Sequence, residues 1–138
     1  MREDVPERDI VDGVDVGFLR NSINNNINFL REPGSKIGLN FDLSTFLSQF
    51  MENVGEDDLT GIPEFGKNLV FLRKRTCESV DYSIEIDNHS RREDLAALCV
   101  GKGIGSENGE ILVNSDYGNQ GIGILVRNGR IYVKHVLY

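Results

Sequence analysis

The residue types that most often do chemistry in proteins are few in this chain and widely separated. Its two histidines, His89 and His135, have no second histidine, cysteine or carboxylate at metal-binding spacing. The glycine-rich residues 101–105 lack the spacing and the trailing Lys-Ser/Thr of a phosphate-binding loop. The acidic residues 56–58 lack the alternating oxygen ligands of a calcium loop. These patterns predict no metal site and no cofactor.

Cysteine content, net charge and hydropathy bear on disulfide formation and on the classes of partner that the protein can bind. Cys77 and Cys99 are too far apart for a zinc motif and too few for a disulfide framework, so two unbridged, buried thiols are predicted; a disulfide in an oxidising compartment is left open. The net charge of −7 repels phosphate backbones, which argues against a nucleic-acid partner. No apolar run approaches the ~18 residues of a membrane span, so no membrane insertion is predicted.

The length of 138 residues is typical of one domain. Residues 1–17 are predicted to be an N-terminal arm or linker, because acidic residues and valines alternate there around Pro6 and Gly13 without a helical stripe. Residues 18–138 are predicted to form the single domain. The acidic N-terminus is unlike an apolar or Arg-rich targeting signal, and the sequence leaves open whether Met1 is the native start.

Two segments in the first half have the periodicity of amphipathic helices. In residues 18–30 the apolar side chains fall at helical spacing with asparagines between them, and Pro33-Gly34 ends the helix. In residues 43–54 the apolar side chains recur at i, i+3, i+4, i+7 and i+8, with Asp42 as the predicted N-cap and Gly55 at the C-terminal end. The predicted apolar positions are Phe18, Leu19, Ile23, Ile27, Leu30, Leu43, Phe46, Leu47, Phe50, Met51 and Val54.

The middle of the chain predicts one strand and one short helix. Residues 80–87 alternate apolar and polar side chains, which is the pattern of a half-buried strand. Ser90 and Glu93 form a capping box, so a short helix follows and closes at Gly101. Residues 101–110 are predicted to be a loop, and the apolar run at 69–75 fits a strand or a buried helical turn equally well.

The clearest local signal is a hairpin over residues 122–137. Its two β-rich runs are joined at Asn128-Gly129, a dipeptide that tolerates the positive φ of a type I′ turn, and the register pairs Arg127 with Arg130. A hairpin is only marginally stable by itself, so its apolar face is expected to pack against the helices. Because the predicted helices come first in the chain and the clearest strands come last, we predict an α+β fold with an antiparallel sheet.

Gly121 opens the hairpin in the sequence Gly-Ile-Gly. A glycine at a strand start permits a close backbone approach or a bulge.

Several motifs together resemble the CAP domain, the SCP-like superfamily of cysteine-rich secretory proteins, antigen 5 and pathogenesis-related 1 proteins. ILVNSDYGNQGIGILVRNGRIYVKHVLY, residues 111–138, resembles the family's end: an Ile-Leu-Asn-Pro-x-Tyr-like run, a Gly-Ile-Gly strand start and a closing hairpin. INFLR at 27–31 and LNFDLSTFLSQFMENV at 39–54 are similar to its first two helices. FGKNLV at 65–70 is similar to its Gly-Glu-Asn-Ile motif. The resemblance covers about residues 18–138.

This resemblance implies an α-β-α sandwich, often secreted or wall-associated, whose cleft can hold a divalent metal between two histidines and two acidic residues. Here Phe50 stands in place of a cleft histidine, Lys67 in place of the motif's glutamate beside Asn68, and Asn108 in place of the second histidine. With Tyr117, these are the candidate cleft residues. A phenyl ring has no lone pair and an ammonium repels cations, so the altered cleft is predicted to bind no metal and to contain no catalytic residue.

Three hypotheses follow. The first is a non-catalytic CAP-like module, extracellular or cell-surface by resemblance, that binds a protein, glycan or lipid through its cleft or a helical face. The second is a small hydrolytic enzyme in which Lys67, Asn68, His89, Asn108 and Tyr117 converge in a polar cleft. The third is a small structural or interaction protein of a cytoplasm or virion, unrelated to the CAP superfamily. The ligand and the oligomeric state are left open.

Overall fold

The computed structural model describes residues 10–11, 13–53, 77–86, 92–113 and 116–138, and it has the predicted α+β fold. The run at 69–75 and the positions of Gly55, Ser90 and Val54 lie outside the described residues. The elements are β1 (Ile10–Val11), β2 (Val14–Asp15), α1 (Val16–Leu30), β3 (Gly38–Leu39), α2 (Phe41–Asn53), β4 (Glu78–Glu85), α3 (Arg92–Ile104), a 3-10 helix (Gly109–Leu112), β5 (Asn119–Arg127) and β6 (Arg130–Leu137).

A four-stranded sheet separates two layers of helices, with strand order β3-β5-β6-β4. The three long strands are antiparallel, whereas the two-residue β3 pairs parallel with β5, so the sheet is mixed rather than wholly antiparallel. Two residues are too few to produce a period-two pattern, and the sequence therefore gave no sign of β3. α1 and α3 cover one face and contribute to the main core, and α2 covers the other face. The result is the three-layer α-β-α arrangement.

The described part of the predicted N-terminal arm is folded. β1 and β2 form a small antiparallel hairpin that turns at Gly13, whose φ is +81°. Val14 and Val16 are buried in the main core. α1 begins at Val16, two residues earlier than predicted, because the Asp15 carboxylate accepts a hydrogen bond from the Phe18 amide at 3.0 Å and caps the helix.

The predicted second helix is present, but its N-cap is different. The Asn40 side-chain oxygen accepts from the Leu43 amide at 2.9 Å, and the helix begins at Phe41. Asn40 therefore caps α2, and Asp42, the predicted cap, lies inside the first turn. The buried positions on this helix are Leu43, Ser44, Leu47 and Met51.

β4 confirms the predicted strand, with Val80 and Tyr82 buried. The predicted end of the following helix is wrong, since α3 continues past Gly101 to Ile104. Gly101 lies inside the helix, and the later Gly103 allows close packing, because a Cβ there would lie 2.7 Å from the Tyr82 ring and 3.0 Å from Leu112. This glycine does not end the helix. The predicted loop at residues 101–110 begins inside α3 and ends in the first residues of the 3-10 helix.

The hairpin is confirmed in both turn and register. Asn128 and Gly129 have φ values of 53° and 75°, as a type I′ turn requires, and Arg127 pairs with Arg130. β5 begins at Asn119, three residues before the predicted β-rich run.

The Gly-Ile-Gly sequence brings α2 very close to β5. Gly121 faces the Leu43 side chain, and a Cβ on Gly123 would lie only 2.6 Å from the Leu47 Cβ and 3.0 Å from the Leu47 carbonyl carbon. The close backbone approach predicted for these glycines is confirmed.

Close approach lets α2 satisfy the amides that β3 is too short to pair. The Ser44 hydroxyl accepts from the Ile122 amide at 2.8 Å, and the Ser48 hydroxyl accepts from the Ile124 amide at 3.0 Å. The two serines are four residues apart and the two amides two residues apart, so one helix turn matches one repeat of the strand. α2 thus covers this edge of β5.

We expect Gly123→Ala to lower the free energy of unfolding by about 3 kcal/mol, since the new methyl meets helix backbone that can move only if α2 shifts. Gly118→Ala is the matched control: a Cβ at Gly118 has nothing within 4 Å, and we expect a change under about 0.5 kcal/mol. Urea denaturation measures both values. Equal stability of the two variants would contradict this account of the α2–β5 contact.

Candidate functional site

A chain of buried polar side chains crosses the sheet on the α1 side. The Tyr82 hydroxyl lies 2.8 Å from His135 Nε2, and His135 Nδ1 lies 2.8 Å from Gln120 Oε1. Gln120 Nε2 in turn donates to Asn24 Oδ1 at 2.8 Å. β4, β6, β5 and α1 each supply one member. The chain therefore ties the central strands to α1.

The direction of these bonds fixes the protonation state of the imidazole. Because the Gln120 amide nitrogen donates to Asn24, its oxygen accepts from His135 Nδ1–H, and Nε2 then accepts from the Tyr82 hydroxyl. Burial lowers the pKa of His135 to about 3 and raises the pKa of Tyr82 well above its usual value. Burial also raises the pKa of the neighbouring Cys99 thiol to about 12. The cluster is neutral near pH 7 and acts as a structural cross-link.

A second buried polar group, Arg31, is held entirely by main-chain oxygens. Its Nε donates to the Leu112 carbonyl at 2.9 Å, and its Nη1 donates to the carbonyls of Ser35 and Tyr117 at 2.9 and 3.0 Å. Nη2 donates to the Ile111 carbonyl at 3.3 Å. Burial lowers the pKa of this guanidinium. Arg31 thus joins the end of α1 to the 3-10 helix and to the segment that leads into β5.

A polar recess of about 370 Å³ lies at the β4 edge, and its described lining is Ser79, Asp81, Glu107 and Asn108. Asp81 Oδ1 accepts from Lys134 Nζ at 2.6 Å, and Oδ2 accepts from the Ser79 hydroxyl at 2.8 Å. With both oxygens accepting hydrogen bonds, Asp81 is a poor general base. The exposed Glu107 and Asn108 offer hydrogen-bonding groups to a small polar ligand.

Lys134 is fully buried beside this recess. It lies opposite Asp81 in the β4–β6 register, on the sheet face that α2 covers. Burial lowers the pKa of Lys134, while its hydrogen bond and attraction to Asp81 oppose that shift. The ammonium is engaged with the carboxylate and contributes to the structure of the sheet.

Of the predicted cleft residues that the structure describes, Asn108 is the one in the recess. It begins the 3-10 helix in the left-handed region with φ of 63°. Phe50 packs with Met51, Leu125 and Tyr132 on the α2 side of the sheet.

Tyr117 packs against the main core on the opposite side, and its carbonyl accepts from Arg31. Burial and then the Glu78 carboxylate raise the pKa of the Tyr117 phenol. Lys67, Asn68 and His89 lie outside the described residues, so the convergence of the full set stays a prediction.

Among the described residues, no three His, Cys, Asp or Glu side chains come together as a metal site. No disulfide joins Cys77 to Cys99, as predicted; Cys99 is buried, whereas Cys77 is only partly buried, contrary to expectation. None of the described helices has the length and apolar character to cross a bilayer.

Exposed apolar side chains border a groove between α1 and α3. The groove has a volume of about 220 Å³, and Phe29 beside it is 89% exposed. Leu30 and Phe18 were both predicted on the apolar face of α1, but they are 54% and 52% exposed. We call this surface the α1–α3 face and define it by Asn26, Phe29, Leu30, Ala97, Leu98 and Gly101.

The α1–α3 face is also uncharged over α1. Arg20 is the one charged residue in α1, and it is buried: its Nε donates to the Ile122 carbonyl at 3.1 Å and its Nη2 to the Ser48 hydroxyl at 3.3 Å. The exposed positions of the helix carry asparagine, phenylalanine and leucine instead. Depletion of charge with aromatic enrichment is typical of the centre of protein interfaces.

Lys134 beside the polar recess and Phe29 on the α1–α3 face were not identified from the sequence. A signal for Lys134 was present, because the sequence IYVKHVL lacks the polar alternation of a strand with one solvent face. A signal for Phe29 was also present, since it falls off the predicted apolar stripe of α1.

Comparison with protein-family models and with curated proteins finds no match to this chain. The CAP resemblance therefore stays a prediction based on the order of its motifs.

Proposed function

We propose that the protein is a non-catalytic interaction module of the CAP-like kind, which binds a protein partner through the α1–α3 face. The observation that carries the proposal is Phe29, an aromatic side chain 89% exposed beside an apolar groove, on a helix whose exposed positions carry no charge. Exposed aromatic side chains at the centre of such patches are typical anchors of protein interfaces. The extracytoplasmic setting implied by the resemblance belongs to the same proposal.

The chemistry of the face favours a protein over a lipid surface. Helices that bind membranes surround their apolar side chains with lysine and arginine, whereas α1 has only the buried Arg20 and the chain carries a net charge of −7. Asn21, Asn25 and Asn26 supply donors and acceptors that suit a peptide surface.

The interior groups support a non-catalytic reading. His135 is neutral and fully buried in a closed chain of hydrogen bonds, and Asp81 is occupied by Lys134 and Ser79. A general acid or base must reach the substrate and exchange a proton near the working pH. Neither group meets both conditions. The replacement of family ligands at Phe50, Lys67 and Asn108 supports the same proposal.

Thermal unfolding after EDTA treatment, and then with excess Zn²⁺, Ca²⁺ or Mg²⁺, tests the non-catalytic, metal-free part of the proposal. We expect the same midpoint in every condition. A metal at ~100 times its dissociation constant would stabilise the native state by about 2.7 kcal/mol, which is several degrees for a domain of this size.

A metal-specific rise in the midpoint would overturn the proposal in favour of the hydrolytic alternative. Asp81→Asn then shows where the metal binds, because loss of the rise in this variant would place the ion in the polar recess. A rise that persists in Asp81→Asn would place it elsewhere, and would overturn the metal-free reading equally.

A further inference from the structure

We propose that a second copy of this chain occupies the α1–α3 face, forming a twofold-symmetric dimer in which Phe29 of each copy enters the groove of the other. This inference rests on the proposed function and names its partner. Three properties of the face carry it, and each of them is a form of self-complementarity, which a twofold interface requires because the same patch meets itself.

The first property is a projection and a recess on one surface. Phe29 extends into solvent, and the adjacent groove is lined by the apolar side chains of Leu30, Val100 and Ile104. The groove volume of about 220 Å³ exceeds the ~150 Å³ of an apolar cavity known to accept benzene in another protein. A phenyl ring therefore fits, and a twofold operation places two such contacts in one interface.

The second property is charge. Two chains of net charge −7 repel each other, so contact is favoured where negative charge is absent or faces a positive charge. The exposed positions of α1 are uncharged, and its asparagine side chains both donate and accept, so that identical residues from two copies can bond to each other. This face is therefore suited to a second acidic chain.

The third property is the placement of two charges on α3. Asp94 and Lys102 are both exposed, near opposite ends of the helix, with the exposed Leu98 midway between them. A twofold axis near Leu98 would bring Asp94 of one copy opposite Lys102 of the other, twice in each dimer. Opposite charges in this arrangement fix the orientation of the two copies.

The size of the face predicts a reversible dimer. α1 has 15 residues, or about 22 Å at ~1.5 Å per residue, and two adjacent helices of ~10 Å diameter give a face near the low end of specific interfaces. We therefore expect association to depend on concentration.

Sedimentation equilibrium of the full chain, from low micromolar to near-millimolar concentration, tests the dimer. We expect the mass to rise from 15.5 kDa toward twice that value. Phe29→Gln should weaken association by at least ~30-fold, the loss typical of an aromatic anchor, without lowering the melting midpoint of the monomer. Phe41→Gln is the control, because Phe41 is also exposed, at 67%, but lies on α2 away from the groove.

A charge exchange tests the orientation. Asp94→Lys and Lys102→Glu should each weaken the dimer, and the double variant Asp94→Lys/Lys102→Glu should restore it. A monomer at every concentration, a dimer that persists in Phe29→Gln, or a double variant as weak as its parents would overturn this inference. The non-catalytic module fails on a different readout, the metal-dependent shift in melting, so the two failures are distinguishable.

Discussion

Arg31→Met is expected to lower the free energy of unfolding by about 3–5 kcal/mol, the largest loss we expect from one surface-looking residue of this sequence. The variant keeps much of the side-chain length but removes every donor, leaving the carbonyls of Leu112, Ser35, Tyr117 and Ile111 without the guanidinium. A buried acceptor without a partner costs ~1–3 kcal/mol, and partial relaxation of the four keeps the sum below its upper bound. Urea denaturation measures the loss.

Two controls separate charge from geometry. Arg31→Lys keeps the positive charge but replaces the planar fork of donors with a single ammonium. We therefore expect its free energy of unfolding to lie between those of the wild type and Arg31→Met. Arg127→Met removes an exposed guanidinium that donates to one carbonyl, that of Glu52 at 3.3 Å, and should change stability by less than about 0.5 kcal/mol. If Arg31→Met were as stable as Arg127→Met, the four hydrogen bonds of Arg31 would make no net contribution to the free energy of unfolding.

The elements that the sequence predicts well are those whose causes are local. The Asn128-Gly129 turn sets the register of β5 and β6 through two backbone dihedrals, and the alternation around Val80 and Tyr82 marks β4. The two amphipathic helices follow from periodicity in the same way. In each case the residues that decide the structure lie within a few positions of one another.

The misplaced features depend on contacts between distant parts of the chain. α3 continues past Gly101, the predicted helix stop, and its Gly103 packs against Tyr82 from another element. β3 exists because β5 offers a parallel partner for two residues. No local pattern reports either contact, since each joins residues far apart in sequence.

The candidate site was less predictable than the fold for the same reason. Asn108 was identified through the family resemblance and does line the polar recess, but Asp81 and Lys134 look like solvent-facing residues of their strands. Lys134 is nevertheless fully buried and Asp81 partly buried on the sheet face that simple alternation assigns to water, the face on which α2 packs against Val136. Arg31 likewise looks like an exposed helix terminus until the 3-10 helix packs over it.

Acid should destabilise the protein through the fully buried imidazole of His135. The folded-state pKa is about 3, below the unfolded value of 6.5, so the unfolded chain binds a proton that the native chain does not bind between those values. The stabilisation is therefore complete above pH 6.5 and is lost as the pH falls toward 3. Within that window the free energy of unfolding should fall by about 1.4 kcal/mol per pH unit from this one group.

Denaturant unfolding between pH 7 and 5 measures this slope, and His135→Gln should abolish the contribution of residue 135 to it because glutamine does not titrate. Tyr82→Phe is the control: it removes the hydroxyl that bonds Nε2 and lowers stability, but it leaves a buried imidazole and therefore the slope. The chain has two histidines, so the imidazole Hε1 signals in a proton NMR titration are few, and His135→Gln assigns them. A midpoint near 6.5 for His135 would contradict the closed hydrogen-bonded chain, because only an imidazole withdrawn from water and lacking a carboxylate partner resists protonation to so low a pH.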